Sequence, residues 1–342
     1  MRRSRFLSFF LSFFKGSLLV VGTLAVCIAL LEGAVRLFLP VRNVGPSFTM
    51  YDPVYGKRLK PNFEADRFTP EFEMHLATNS LGFRGGEPIG RIDHPILFFG
   101  DSFTMGYGVT DGDEFPAIVG EHLLNSEIEE PVQVVNVGMG DNGNGRPLKF
   151  LRDEAVDLKP RLIVLQLAEN DFYDNIKERL FKLNDAGDGL VELDVGLPGK
   201  AQRAQAWIEA IPGAQYSYLV GFAREAVSAV MALGAPKRTG STSKEAEERD
   251  RLTYRLVQEL LSSAEEMSWP SVVLTVGLSD HRLRALRDLS DRYDVDLINV
   301  PSKQQRSDLY YAVDGHWNAA GHAFVADLIL SWLEDNSDVW FD

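Results

Sequence analysis

Short apolar runs bounded by turn formers recur along the later part of the chain: ILFFG at 96–100, VQVVNV at 132–137, RLIVLQL at 161–167, SVVLTV at 271–276 and VDLINV at 295–300. Their length and β-branched content predict strands, and their unbroken apolar character predicts strands covered on both faces. Segments with a helical period lie between them, near 114–126, 146–158, 245–267 and 279–292, with a last one near 319–334. This alternation predicts an α/β chain, a five-stranded parallel sheet inside a three-layer α/β/α sandwich. Between Tyr173 and Lys244 the alternation lapses. AQYSYLVGFAREAVSAVMAL at 214–233 reads as helix and GAPKRTGSTSK as a polar linker, so residues 174–244 are expected to form a helical insertion within a main domain of 95–335. Ahead of that domain, residues 40–94 are rich in turn formers and carry the alternating run FEMHLAT at 72–78, which predicts a strand in an N-terminal extension.

The start of the chain has a different pattern. No residue from Gly16 to Leu31 is charged, and the apolar character resumes after Glu32 and Arg36 as far as Leu39. A helix over 16–38 is long enough to cross a hydrocarbon core of about 30 Å. Arg2, Arg3, Arg5 and Lys15 precede it with no acid among them, and positive charge marks the cytoplasmic end of a span. No small-x-small cleavage site follows, and LAVC around Cys27 lacks the small residue a lipoprotein signal carries just before its cysteine. The expectation is a single-pass anchor in a bacterial inner membrane, with residues 1–15 cytoplasmic and the main domain periplasmic.

Charge and cysteine content narrow the class further. The chain has 342 residues, with 35 Lys+Arg against 49 Asp+Glu, and the net charge of −14 argues against a nucleic-acid surface. Cys27 is the only cysteine, so neither an intramolecular disulfide nor a zinc finger is available.

Ligands of open parallel sheets bind outside the carboxyl ends of the strands, and three consecutive predicted strands deliver polar groups there. The first ends in GDSFTMG and places Ser102 at its exit. The second ends in NVGMGDNGNG, a loop whose glycines let backbone N–H groups approach a bound atom. The third ends in AENDFYDN and places Asn170 at the same rim, while DGHWNAAGH puts Asp314 and His316 in a turn before the last helix. A serine hydroxyl becomes a nucleophile when a neutral imidazole takes its proton. That imidazole needs an anion to orient it, and the tetrahedral oxyanion needs preorganised donors. These groups together point to acyl transfer.

In this order the blocks resemble those of the SGNH hydrolases, also called the GDSL family, over residues 95–335. The lead-in TNSLGFRG is similar to that of membrane-anchored bacterial members. The resemblance implies Ser102 as nucleophile, His316 as general base, Asp314 as its orienter, and an oxyanion hole made by the Ser102 N–H, a glycine-loop N–H and the Asn170 side chain. Three positions depart from the family pattern. Asp141 stands where an oxyanion glycine is usual, five residues after Asn136, so Gly140, Gly138 or the Asp141 N–H must serve, and Gly140 is favoured. Ala168 replaces a glycine in the third block, and Asp314 and His316 are separated by Gly315 alone where two residues are usual.

The implied activity is hydrolysis or transfer of an acyl group on an envelope glycan or lipid, with no metal or organic cofactor, since the histidine and carboxylates are already allotted. Two other classes compete. Gly138, Gly140 and Gly143 spell GxGxxG, a dinucleotide-binding fingerprint, yet that reading leaves GDSFT and DGHWN without a role. A scaffold or glycan-binding protein would need no nucleophile paired with a base.

Overall fold

The computed structural model describes residues 2–41, 44–88, 90–126, 132–234 and 243–341, so most of the predicted linker, 235–242, lies outside the described residues. Five strands form one parallel sheet: β1 (Ile96–Phe99), β2 (Val134–Asn136), β3 (Leu162–Ala168), β4 (Ser271–Val276) and β5 (Asp296–Val300). Their order is β2-β1-β3-β4-β5. The chain leaves β1 toward one edge and returns to β3 on its other side. That reversal opens a crevice outside the carboxyl ends of β1 and β3.

Each strand runs apolar without a break because alternate residues serve two different cores. Leu97 and Phe99 pack with Ile163, Leu165 and Val273 against Leu148 of helix Gly145–Asp153 and Leu256 of helix Ser243–Glu266. Ile96 and Phe98 pack with Leu162, Val164 and Leu274 against Phe115 of helix Phe115–Leu124 and Ile329 of helix Ala319–Asp335. The arrangement is the predicted three-layer sandwich. Each such buried side chain contributes about 1.5–3 kcal/mol, so the sheet forms a rigid floor for whatever its rim carries.

Two local expectations change. The second strand covers only Val134–Asn136, because an edge strand bonds to β1 alone; Ile96 N–H donates to Gln133 O and Val137 N–H to Phe98 O just beyond its ends. The insertion is not wholly helical. It contains an antiparallel hairpin, Phe181–Leu183 with Leu190–Glu192, ahead of helices Lys200–Glu209 and Tyr218–Gly234. The hairpin turn has Gly187 at φ +75° and Asn184 bonded to Asp188, local chemistry that outweighs the helical character of the downstream segment.

The chain divides into two compact units, the smaller comprising residues 1–46, 68–70 and 207–237. Within it, helix Arg2–Phe38 includes Phe13–Phe38, an apolar stretch long enough to cross a membrane. Glu32, which interrupts that stretch, accepts hydrogen bonds from Tyr218 N–H (2.9 Å), Leu219 N–H (2.9 Å) and the Ser217 hydroxyl (2.6 Å). It thereby satisfies the first donors of helix Tyr218–Gly234.

Within the larger unit, the alternating run of the extension forms strand Glu73–Ala77, and the lead-in segment supplies a clamp. The Arg84 side chain is wholly buried. Its guanidinium donates to the carbonyls of Met105 (2.8 Å), Gly106 (2.6 Å) and Val109 (2.7 Å) and pairs with Asp111 at 2.9 Å and Glu114 at 3.6 Å. Removing it would take a charged donor from these three carbonyls and leave the buried Glu114 without its counter-ion. Arg84→Met is expected to cost about 3–5 kcal/mol in urea denaturation, and a loss below about 1 kcal/mol would contradict the clamp.

Candidate active site

Ser102 opens the short helix Ser102–Met105 directly after β1. Gly100 has no room for a side chain, since a Cβ there would lie 2.2 Å from Thr104 Oγ1 and 2.3 Å from Gln166 Oε1. That close approach lets Gln166, the polar residue inside β3, accept from Asp101 N–H (3.1 Å) and from the Thr104 hydroxyl (3.0 Å). Asp101 caps the helix by accepting from Phe103 N–H at 2.9 Å. The turn is therefore fixed on both sides, and the hydroxyl of Ser102 is left to face the crevice.

Across the crevice, the loop 310–318 brings up the imidazole. Trp317 is fully buried and packs on Phe103 at 4.6 Å and Phe115 at 6.0 Å between ring centroids. Tyr311 donates its hydroxyl to Gly108 O at 2.8 Å. Gly315, at φ +90°, permits a reversal that folds the Asp314 and His316 side chains together across one residue. Glu71 holds the turn from outside, accepting from Val313 N–H (2.9 Å) and Asp314 N–H (2.6 Å).

The result is a continuous relay. Ser102 Oγ lies 2.7 Å from His316 Nε2, and His316 Nδ1 is bonded to Asp314 Oδ1. With the carboxylate accepting from Nδ1–H, Nε2 carries a free lone pair within hydrogen-bond reach of the serine hydroxyl. Phe103 and Tyr107 flank the imidazole, with centroids 5.1 and 5.0 Å from its own. The short Asp-Gly-His spacing thus brings Asp314 Oδ1 to His316 Nδ1.

The glycine loop approaches from β2. A Cβ built on Gly140 would sit 3.8 Å from Ser102 Cβ, so this backbone lies beside the serine. Among the described residues, the N–H groups of Ser102, Gly140 and Asp141 have no acceptor. The neighbouring glycines are packed shut. A Cβ on Gly138 would lie 2.5 Å from Met105 N, and one on Gly143 would lie 2.3 Å from Asn175 Oδ1. Two of the three glycines of the GxGxxG spelling therefore serve close packing in the loop that follows the edge strand.

Asn170 is held beside the serine turn. Its Nδ2 lies 2.7 Å from Asp101 Oδ2 and 3.0 Å from Asp174 Oδ2. Burial pushes the Asp101 carboxyl above its usual range, against the hydrogen bonds from Asn170 and Phe103 N–H. Asp171 is pushed well above its range by burial and by the neighbouring Asp101. Among the described residues, no group of three or more His, Cys, Asp or Glu side chains is placed to hold a metal ion.

Several supporting residues escaped the sequence reading. Gln166 carried a faint signal, as a polar residue inside an apolar strand. Glu71 and Lys57, whose Nζ reaches Gly140 O at 2.6 Å, carried none, because they lie far from every motif. His322, near the site in sequence, is buried in the core, where its Nδ1 accepts from Phe115 N–H at 3.3 Å.

Burial, reinforced by the charges of Arg84 and His316, lowers the pKa of His322 to about 3. The unfolded imidazole titrates near 6.5, so between these values the unfolded state holds more protons. Stability from this group is present above pH 6.5 and falls as the pH drops toward 3, by at most about 1.4 kcal/mol per pH unit. Denaturation midpoints at pH 7 and pH 5 should therefore separate more for the wild type than for His322→Gln. Equal separations would contradict this.

Comparison with known proteins covers the segment that holds these residues. A model of the GDSL-like lipase/acylhydrolase family matches residues 98–324. Solved structures similar to the chain include the acetyl xylan esterase AlAXEase, at 14% identity and a TM-score of 0.41, covering 70% of this chain and 99% of that one. TesA is similar at 13% identity and a TM-score of 0.41, with 70% and 98% covered. A two-domain esterase active on acetylated mannans is similar at 11% identity and 0.40, with 73% and 50% covered. Comparison with curated proteins finds no match.

Proposed function

Because the chain belongs to the GDSL-like lipase/acylhydrolase family and is a serine ester hydrolase, we propose that Ser102 is its nucleophile, His316 its general base and Asp314 the carboxylate that orients the base. The observation that carries this assignment is the unbroken relay from Ser102 Oγ through both ring nitrogens of His316 to Asp314. A protein that only bound an acylated glycan would have no use for it.

In the reaction, Ser102 Oγ bonds to the acyl carbon as its proton passes to His316 Nε2, and the carbonyl electron pair moves onto oxygen. Asp314 balances the imidazolium that forms. The oxyanion takes hydrogen bonds from the N–H groups of Ser102 and Gly140 and from Asn170, which turns one amide hydrogen away from Asp174. Collapse breaks the bond to the leaving oxygen, which takes the proton from Nε2, and an acyl-serine remains. Water, or the hydroxyl of an acceptor sugar, then gives its proton to Nε2 as it attacks the acyl carbon; collapse breaks the bond to Ser102 Oγ, which takes that proton back from Nε2, and both Ser102 and His316 are restored. Transfer outcompetes hydrolysis to the extent that the acceptor excludes water.

The substrate in this reading is a short acyl ester, of the acetyl class, on an oxygen of an envelope glycan or lipid. Location supports it. The apolar stretch Phe13–Phe38 follows three basic residues and holds a fourth, Lys15, in its first turn, the pattern of a single inner-membrane span with its amino end in the cytoplasm and the following domain outside, in the periplasm.

Ser102→Ala is expected to abolish both p-nitrophenyl acetate hydrolysis and fluorophosphonate labelling with little change in melting temperature; retained turnover would remove Ser102 as nucleophile. Asn170→Ala is expected to lower kcat by roughly 10² to 10³, measured with the same ester. An unchanged kcat would leave Asn170 as a structural partner of Asp101 and Asp174.

A further inference from the structure

Lys57 lies in strand Gly56–Leu59, which forms an antiparallel hairpin with Thr49–Asp52 and precedes the family-matched segment. The hairpin is tied to the helix Gly145–Asp153 and to the glycine loop through Arg146, which donates twice to Tyr55 O at 3.1 Å and also bonds to Asn142 Oδ1. This places the Lys57 ammonium under the glycine loop. Its Nζ donates to Gly140 O at 2.6 Å and Asp141 O at 2.9 Å.

Those two carbonyls belong to the loop that lies against Ser102. Every peptide bond among the described residues is trans, so the C=O and N–H of one peptide plane point in opposite directions. Holding Gly140 O on the Lys57 side turns the Asp141 N–H to the far side. Asp141 also sits at φ +52°, a left-handed conformation uncommon for residues other than glycine, though aspartate adopts it more readily than most. Such a conformation persists only when its surroundings hold it, and the ammonium supplies two of the bonds that do so.

Charge adds a second reason. An aspartate at this position brings a carboxylate to the edge of a site that must stabilise an oxyanion. Against the upward push of burial, Lys57 and Lys177 keep the Asp141 carboxyl below its usual range, with Lys177 Nζ at 3.4 Å. The carboxylate thus stays ionised beside two cations that offset it.

Resting on the esterase reading above, we propose that Lys57 is a positioning residue. By gripping the carbonyls of Gly140 and Asp141 it holds the loop in the conformation in which the Gly140 N–H meets the oxygen that becomes negative on the substrate and the Asp141 N–H faces away from the ammonium, and its charge offsets that of Asp141. It touches neither substrate nor the reacting atoms. Burial and the charges of Arg146 and Lys177 lower the pKa of Lys57 to about 8, with Glu178 and Asp141 opposing them. The ammonium is therefore charged at neutral pH and loses its proton as the pH rises through about 8.

The test measures p-nitrophenyl acetate hydrolysis and the rate of fluorophosphonate labelling across pH 6–9.5 on the full-length chain in detergent, for wild type, Lys57→Met and Lys57→Arg. Lys57→Met is expected to lower kcat at pH 7 by roughly 10- to 100-fold, less than deletion of an oxyanion donor, with KM within about twofold and a parallel loss in labelling rate. Lys57→Arg should restore most of kcat. It should also move the alkaline fall in kcat, near pH 8 in the wild type, to higher pH, because a guanidinium does not lose its proton there. A folded Lys57→Met at the wild-type rate overturns the proposal. So does a Lys57→Arg whose alkaline fall stays in place, and this second result decides the matter if Lys57→Met does not fold. A wild type that takes no label overturns the esterase reading, and this inference with it; a labelled wild type beside an unimpaired Lys57→Met overturns this inference alone.

Discussion

In a parallel sheet covered on both faces, the side chains within its central strands are committed to one core or the other. Ile96 to Phe99 of β1 and Leu162 to Leu165 of β3 are almost wholly inaccessible, and such a surface can carry no polar chemistry without a desolvation cost. Reactive groups are driven to the strand ends. There, the reversal of strand order between β1 and β3 leaves a crevice, and Ser102 and Asn170 stand immediately beyond those two strands. The site sits where it does because the sheet leaves no other place for it.

A rim built from loops needs outside support, and much of it comes from the extension ahead of the sheet. Glu71 accepts from the backbone of the Asp314 turn, Arg84 grips the carbonyls just past the Ser102 helix, and Lys57 grips those of the glycine loop. Each uses a charged side chain on backbone groups, a bond stronger than a neutral one and indifferent to the identity of the residue it holds. The extension therefore fixes backbone geometry around the relay without contributing to the relay itself. Beneath it, burial pushes the carboxyls of Asp101 and Asp171 above their usual range, and Asp101 further raises that of Asp171.

The sandwich and the relay were both legible in the amino-acid pattern. Apolar runs of five to seven residues separated by helical periods left few alternatives to a buried parallel sheet, and Ser102, Asn170, Asp314 and His316 each lay next to an element that could be placed in advance. The insertion was legible only in part, because the hairpin Phe181–Leu183 with Leu190–Glu192 depends on a turn whose signal a longer helical stretch overshadows. The identity spelled by Gly138, Gly140 and Gly143 was ambiguous in one dimension. Only the closeness of Met105 N and Asn175 Oδ1 shows that two of them serve packing.

Short-range periodicity and local chemistry are all that the sequence could determine by itself: which segments are strands, which helices, and which polar residues stand at their ends. The tertiary structure alone decided which distant residues meet. The 2.7 Å contact between Ser102 and His316 spans 214 positions, and the bond from Lys57 to Gly140 spans 83. The first was anticipated because its two ends carry recognisable motifs. The second left no trace, because a lysine that binds backbone carbonyls requires nothing particular of the residues it holds, and so writes no pattern into the chain.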